Sequence, residues 1–128
     1  MCIRDRFPHN IGLGAANNPA LIEQIAQVTA REVIATGIDW VFAPTVAVVR
    51  NDRWGRTYEG YSEDPEIVRN YSAAIVKGLQ GSIGEGFLND TRVLATIKHF
   101  VGDGGTKDGI DQGAVSYTHL TLPTIYSV

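Results

Sequence analysis

Arg92-Val93-Leu94-Ala95-Thr96-Ile97-Lys98-His99-Phe100-Val101-Gly102-Asp103-Gly104-Gly105-Thr106 is the stretch on which the fold turns. Its first six residues are short, β-branched and almost continuously apolar, the pattern expected of a parallel strand covered on both faces. The rest is a glycine-rich loop, so Lys98 and His99 are delivered where a buried strand opens out. In α/β proteins ligands bind at such strand ends.

Upstream, Trp40-Val41-Phe42-Ala43 is a second apolar run ended by Pro44. It leads into Asn51-Asp52-Arg53-Trp54-Gly55-Arg56-Thr57-Tyr58-Glu59-Gly60-Tyr61-Ser62-Glu63-Asp64, which mixes cations, carboxylates and aromatics. The layout repeats that of the first stretch: apolar strand, then a polar loop.

Helices are expected before each strand. Leu21, Ile22, Ile25, Ala26, Val28, Thr29, Val33 and Ile34 recur at helical spacing, with Asn18-Pro19 as cap and first-turn proline and Gly37 as terminator, so 19–36 reads as a helix. A second helix starts near Asp64-Pro65, buries Ile67, Val68, Tyr71, Ile75, Val76 and Leu79, and stops at Gly81. Trp40, Phe42, Tyr71 and Phe100 are read as core aromatics.

Alternating helices and strands imply a parallel sheet with crossover helices. The loops that follow the strands are long and polar, whereas Gly37-Ile38 alone joins the first helix to its strand. That asymmetry suits an α/β fold of the (β/α) barrel type, whose chemistry lies at the strand C-terminal ends. A complete barrel takes about 250 residues, and this sequence offers two clear strands, with a third expected to end just before Phe7. The fold class expected is therefore a partial TIM-type (β/α) barrel.

Composition narrows the function. The 128 residues are 44% hydrophobic with a formal charge of −3, which reads as one globular unit, neither basic enough for nucleic acid nor acidic enough for disorder. Cys2 is the single cysteine, and His9, His99 and His119 lack zinc-ligand spacing, so no structural metal and no cofactor is expected. No apolar stretch approaches the roughly 18 residues of a membrane span, and 1–6 lacks the apolar region of a signal peptide.

The charged residues admit more than one reading. A cation at a strand end, such as Arg56, Lys98 or His99, serves equally to pair with a carboxylate or to hold a ligand. Glu59, Glu63 and Asp64 tempt a reading as catalytic carboxylates, yet Glu63-Asp64-Pro65 also has the form of a helix N-terminus. Asp103, Asp108 and Asp111 lack calcium-loop spacing, and no phosphate-binding fingerprint follows the glycines, so loop shaping is the simpler account and a nucleotide-binding protein has little support. His9 is expected to bond its own loop; Trp54 either walls a pocket or packs beneath it.

Three motifs carry a resemblance. Phe7-Pro8-His9-Asn10-Ile11-Gly12-Leu13-Gly14-Ala15, the Arg53–Asp64 stretch and Lys98–Thr106 together resemble, in order, the N-terminal barrel of glycoside hydrolase family 3. The resemblance spans 7–114. Segments 1–6 and 115–128 (VSYTHLTLPTIYSV) look like translated adapter sequence and are expected to be non-native ends, which would account for Cys2 and His119.

The resemblance implies a retaining exo-acting β-glucosidase that removes terminal β-D-glucosyl residues from oligosaccharides or β-glucans. Retention needs two carboxyl groups about 5 to 5.5 Å apart. In the family the nucleophile lies on a later strand, and in the glucosidase branch the acid/base lies in a second domain, so neither is expected here. Arg56, Lys98 and His99 match the family's sugar ligands. The N-acetylhexosamine branch carries Lys-His-Phe-Pro-Gly-His-Gly-Asp-Thr at the loop; Lys-His-Phe-Val-Gly-Asp-Gly-Gly-Thr here lacks its second histidine, which points to the glucosidase branch. The partners implied are a β-linked glucoside or oligosaccharide and the remainder of the barrel with its second domain, with neither nucleic acid nor membrane, and the family implies a periplasmic or secreted parent. A non-catalytic carbohydrate-binding protein derived from a barrel is the alternative.

Overall fold

A computed structural model describes residues 7–84, 86–99 and 102–110. The strand expected before Phe7, both segments read as non-native, Phe100 and Asp111 lie outside these residues. In chain order the elements are α1 (Asn10–Ala15), α2 (Pro19–Ile34), β1 (Trp40–Val41), a 3-10 turn (Thr57–Glu59), α3 (Pro65–Gln80) and β2 (Leu94–Ala95).

The helix boundaries follow from local chemistry. Asn18 accepts a hydrogen bond from the Leu21 amide at 3.1 Å, and Pro19 occupies the first position of α2, where its missing N–H costs nothing. Regular helix ends at Ile34 rather than 36, because the amides of Thr36 and Gly37 bond three residues back, to Val33 and Ile34. Gly37 then adopts φ +85°. Asp64 caps α3 through the Glu66 amide at 2.8 Å.

The two long helices pack closely on one another. Val68, Tyr71, Ile75 and Leu79 of α3 meet Ile22, Ala26 and Ala30 of α2 in one core. Contact is tightest at Gly78, where an added Cβ would lie 2.5 Å from the Ala26 Cβ and 2.5 Å from the Glu23 carbonyl oxygen. Ile67 and Val76, expected in the core, are only partly buried.

The strands are parallel, with Trp40 opposite Leu94 and Val41 opposite Ala95. Pairing runs further than the two-residue strands: Leu94 N bonds Asp39 O at 2.7 Å, Lys98 N bonds Pro44 O at 3.0 Å, and Val46 N bonds Lys98 O at 2.9 Å. Pro44 has no N–H to donate, which interrupts the ladder.

Strand residues alternate between faces, and the helices cover one face of the pair. Val93 is fully buried there, and Val41 and Ala95 pack against the same core. The opposite face is open, contrary to the expectation of a strand covered on both sides and of Trp40 and Phe42 as core. Trp40 is 53% and Phe42 64% exposed, while Tyr71 is fully buried as expected. Trp40 and Phe42 pack edge to face, and the Trp40 indole donates to Thr96 Oγ1 at 2.7 Å.

The described residues thus form an α/β arrangement with parallel strands joined through a helix. Two strands do not display a barrel.

One helix was not foreseen. α1 lies in a stretch read as loop, because Gly12 and Gly14 hide its periodicity. Gly14 is buried, and a Cβ there would fall on the Tyr61 carbonyl. Tyr71 fastens this region to α3: its hydroxyl donates to Leu13 O at 2.8 Å and accepts from Asn18 N at 2.8 Å.

Candidate active site

The loops after the two strands come together at the strand ends, and α1 joins them. Thr45 and Lys98 form a parallel bridge, and Val48 forms another with Ser62. Arg50 N bonds Gly104 O at 3.2 Å. Gly104, at φ +86°, lets the glycine-rich loop lie against Val48, whose carbonyl oxygen would be 2.6 Å from a Cβ. From α1, Asn10 Nδ2 donates to the Glu59 carbonyl at 2.7 Å, which also accepts from Thr45 Oγ1 at 3.4 Å.

Arg56 precedes the 3-10 turn that Glu59 ends. Side chains three apart in such a turn eclipse one another, so the two meet. Arg56 Nε and Nη2 donate to Glu59 Oε1 and Oε2 at 2.9 and 2.6 Å. These hydrogen bonds hold the Glu59 carboxyl below the usual glutamate range, against partial burial, with attraction to Arg56, Lys98 and His99 adding to them. Of the three candidate ligands, Arg56 is the one that Glu59 contacts directly.

Trp54 is buried with Ala47 and Val49, and the Arg56 guanidinium carbon sits 6.0 Å from the Trp54 ring centroid. Of its two expected roles Trp54 takes the supporting one. His9 makes no side-chain cap bond; its ring packs edge to face on Tyr58, with centroids 5.0 Å apart. Asp64 is the α3 cap rather than a site carboxylate.

His99 Nδ1 lies 2.8 Å from Asp103 Oδ2. The imidazole is half exposed and the carboxylate nearly buried, at 45% and 9%. A carboxylate oxygen in that position favours the tautomer with the proton on Nδ1.

A cavity of about 470 Å³ has Lys98, Asn10 and Thr45 in its lining, but Ile22, Ala26 and Leu79 line it too. It lies between sheet and helices and is too apolar for a hydroxyl-rich ligand. The Tyr61 phenol in the same lining is pushed up to about 12, by burial first and the Tyr71 neighbour second. Among the described residues no group of three or more His, Cys, Asp or Glu is placed to hold a metal ion.

Sequence reasoning named Arg56, Lys98 and His99 and missed the pairing of Arg56 with Glu59 and the Asn10 hydrogen bond to the Glu59 carbonyl. The Arg-x-x-Glu spacing was the available signal.

Arg56, Lys98 and His99 thus lie on the loops that follow a parallel strand pair, the end of an α/β fold at which ligands bind. Comparison with known proteins supplies the family. The model of the glycosyl hydrolase family 3 N-terminal domain matches residues 2–127, and this chain belongs to that family. It is 37% identical over 110 residues to a lysosomal β-glucosidase of Dictyostelium discoideum, covering 84% of this chain and 13% of that protein. Among solved structures it is similar to an exo-1,3/1,4-β-glucanase from a Pseudoalteromonas species, with TM-score 0.80 and 64% identity over 82% of this chain and 13% of that one. It is also similar to a β-glucosidase from Listeria innocua, solved with glucose, at TM-score 0.74 and 33% identity, covering 80% and 14%. The chain therefore spans about an eighth of the length of these relatives.

Proposed function

We propose that this chain is part of the (β/α) barrel, over 7–114, of a retaining exo-acting β-glucosidase that hydrolyses terminal β-D-glucosyl residues. Arg56, Lys98 and His99 bind the terminal sugar, and the nucleophile and acid/base belong to other parts of the protein. The observation that carries this reading is the placement of Lys98 and His99 at the end of β2, bridged to Thr45 of the loop after β1, the same loop on which Glu59 holds Arg56. Vicinal hydroxyls present paired oxygens to a planar guanidinium and an ammonium, and charge-assisted hydrogen bonds that tighten in the transition state raise the rate. The 64% identity to an exo-glucanase favours a glucosyl substrate.

The two glutamates near the site differ in their engagement. Glu59 is paired with Arg56, and Glu63 is exposed beside the α3 cap. This supports a binding role for the chain, with the chemistry supplied from outside it.

The test is hydrolysis of an aryl β-glucoside by the encoded protein, expressed with its flanking sequence. Removing a charged hydrogen-bonding ligand, Arg56→Met or Lys98→Met, should lower kcat/KM by about 10- to 100-fold. Saturable glucose binding without hydrolysis would replace this reading with a non-catalytic carbohydrate-binding protein. Hydrolysis indifferent to both substitutions would remove these residues from the site.

A further inference from the structure

We infer that Glu59 is a positioning residue of the sugar site, its carboxylate holding the Arg56 guanidinium in one plane. This rests on the sugar-binding role proposed for Arg56 and extends it to a residue that touches no ligand itself.

Glu59 is fixed before it fixes anything else. Its amide bonds the Arg56 carbonyl at 2.9 Å, and its own carbonyl accepts from Asn10 and Thr45. The first motif, the loop after β1 and the turn are thus pinned at one residue. From that anchor the carboxylate engages Arg56 through both oxygens, using two of the five guanidinium N–H donors. An arginine on a solvated arm samples many rotamers and loses that freedom on binding; one already held loses less.

Charge gives a second reason. Arg56 and Lys98 are cations on neighbouring loops, and Asp103 is engaged with His99. Glu59 supplies a negative charge that offsets the Arg56 guanidinium before any substrate arrives.

The same geometry argues against Glu59 as general acid or nucleophile. A glycosidase acid needs a raised pKa, whereas hydrogen bonds from Arg56 depress this one. Both oxygens face a guanidinium, so neither is poised to attack a sugar carbon.

The experiment is a double-mutant cycle on the encoded protein, reading kcat and KM for an aryl β-glucoside in wild type, Arg56→Met, Glu59→Gln and the double variant. If Glu59 acts through Arg56, Glu59→Gln lowers kcat/KM by about tenfold or more alone but by less than about threefold once Arg56 is gone. Glu59→Asp, which keeps the charge, should recover part of the loss, and it takes the place of Glu59→Gln in the cycle if that variant does not fold. Equal losses in both backgrounds, or no loss at all, overturn the inference. A fall in kcat of more than about 10⁴-fold at unchanged KM also overturns it, since that is how a reacting carboxylate behaves. If Arg56→Met itself leaves kcat/KM unchanged, the sugar-binding reading of Arg56 has failed, which the cycle separates from a failure of Glu59 alone.

Discussion

The Asp103 carboxylate lies 2.8 Å from Nδ1 of His99, four residues before it, and is the more buried of the two groups. The pair sets the imidazole's tautomer: a carboxylate that only accepts holds the proton on Nδ1 and leaves Nε2 to accept from a hydroxyl. Asp103→Asn presents an amide that donates as readily as it accepts, so the tautomer is no longer imposed. The expected outcome is a rise in KM for a β-glucoside of about tenfold, the scale of one charge-assisted hydrogen bond. Nitrogen-15 shifts of His99 check the cause, since wild type should show a protonated Nδ1 and the variant a mixture. An unchanged tautomer alongside a raised KM would assign the effect to loop distortion instead.

The Arg56–Glu59 pair has its own pH signature. Folding lowers the Glu59 pKa, chiefly through hydrogen bonds from Arg56. A depressed carboxylate contributes stability that is complete above its unfolded value, about 4.3, and is lost as pH falls through the folded value. Both side chains are about one-third exposed, at 32% and 29%, so solvent screening limits the pair to about 1 kcal/mol or less. The thermal midpoint of Glu59→Gln should therefore sit slightly below wild type at pH 5 to 7, and the gap should close on acidification below about pH 4. A gap that widened in acid would contradict the depressed pKa.

The legible parts of the sequence were those where a local signal and the tertiary environment agree. Asn18-Pro19 and Asp64-Pro65 announced helix starts because caps are set by a few adjacent residues, and both helices begin there. Lys98 and His99 were placed at a strand end by the apolar run before them, and that run does pair with β1. Less visible was anything that depends on a second layer. Trp40 and Phe42 look like core by composition, but only one face of a two-stranded sheet is covered by α2 and α3. α1 was hidden by two glycines, one of them required by a backbone contact with Tyr61 that no local pattern reveals. Glu59 was weighed as catalytic because isolated carboxylates invite it; its pairing with Arg56 appears only when the chain is seen to tighten into a 3-10 turn.

Gly78 and Ala26 provide a test of how α2 and α3 meet. Helix propensity favours alanine over glycine by about 1 kcal/mol in a helix interior, so Gly78→Ala should stabilise an isolated α3. In the folded chain the new Cβ would lie 2.5 Å from the Ala26 Cβ, 2.5 Å from the Glu23 carbonyl oxygen and 3.3 Å from the Gln27 amide nitrogen. Two of these three atoms are helix backbone, so the strain is relieved only by moving α2 away. Overpacking of this kind costs about 1 to 3 kcal/mol, more than propensity returns at the upper end. Separating the helices would also stretch the 3.1 Å contact between Lys77 Nζ and Glu23 Oε2. The net expectation is a destabilised variant, read as a lower urea midpoint at an unchanged slope. Gly55→Ala is the control, because no atom lies within 4 Å of its added Cβ, and its midpoint should match wild type. If Gly78→Ala were as stable as Gly55→Ala, the close approach of α2 and α3 at this position would have to be given up.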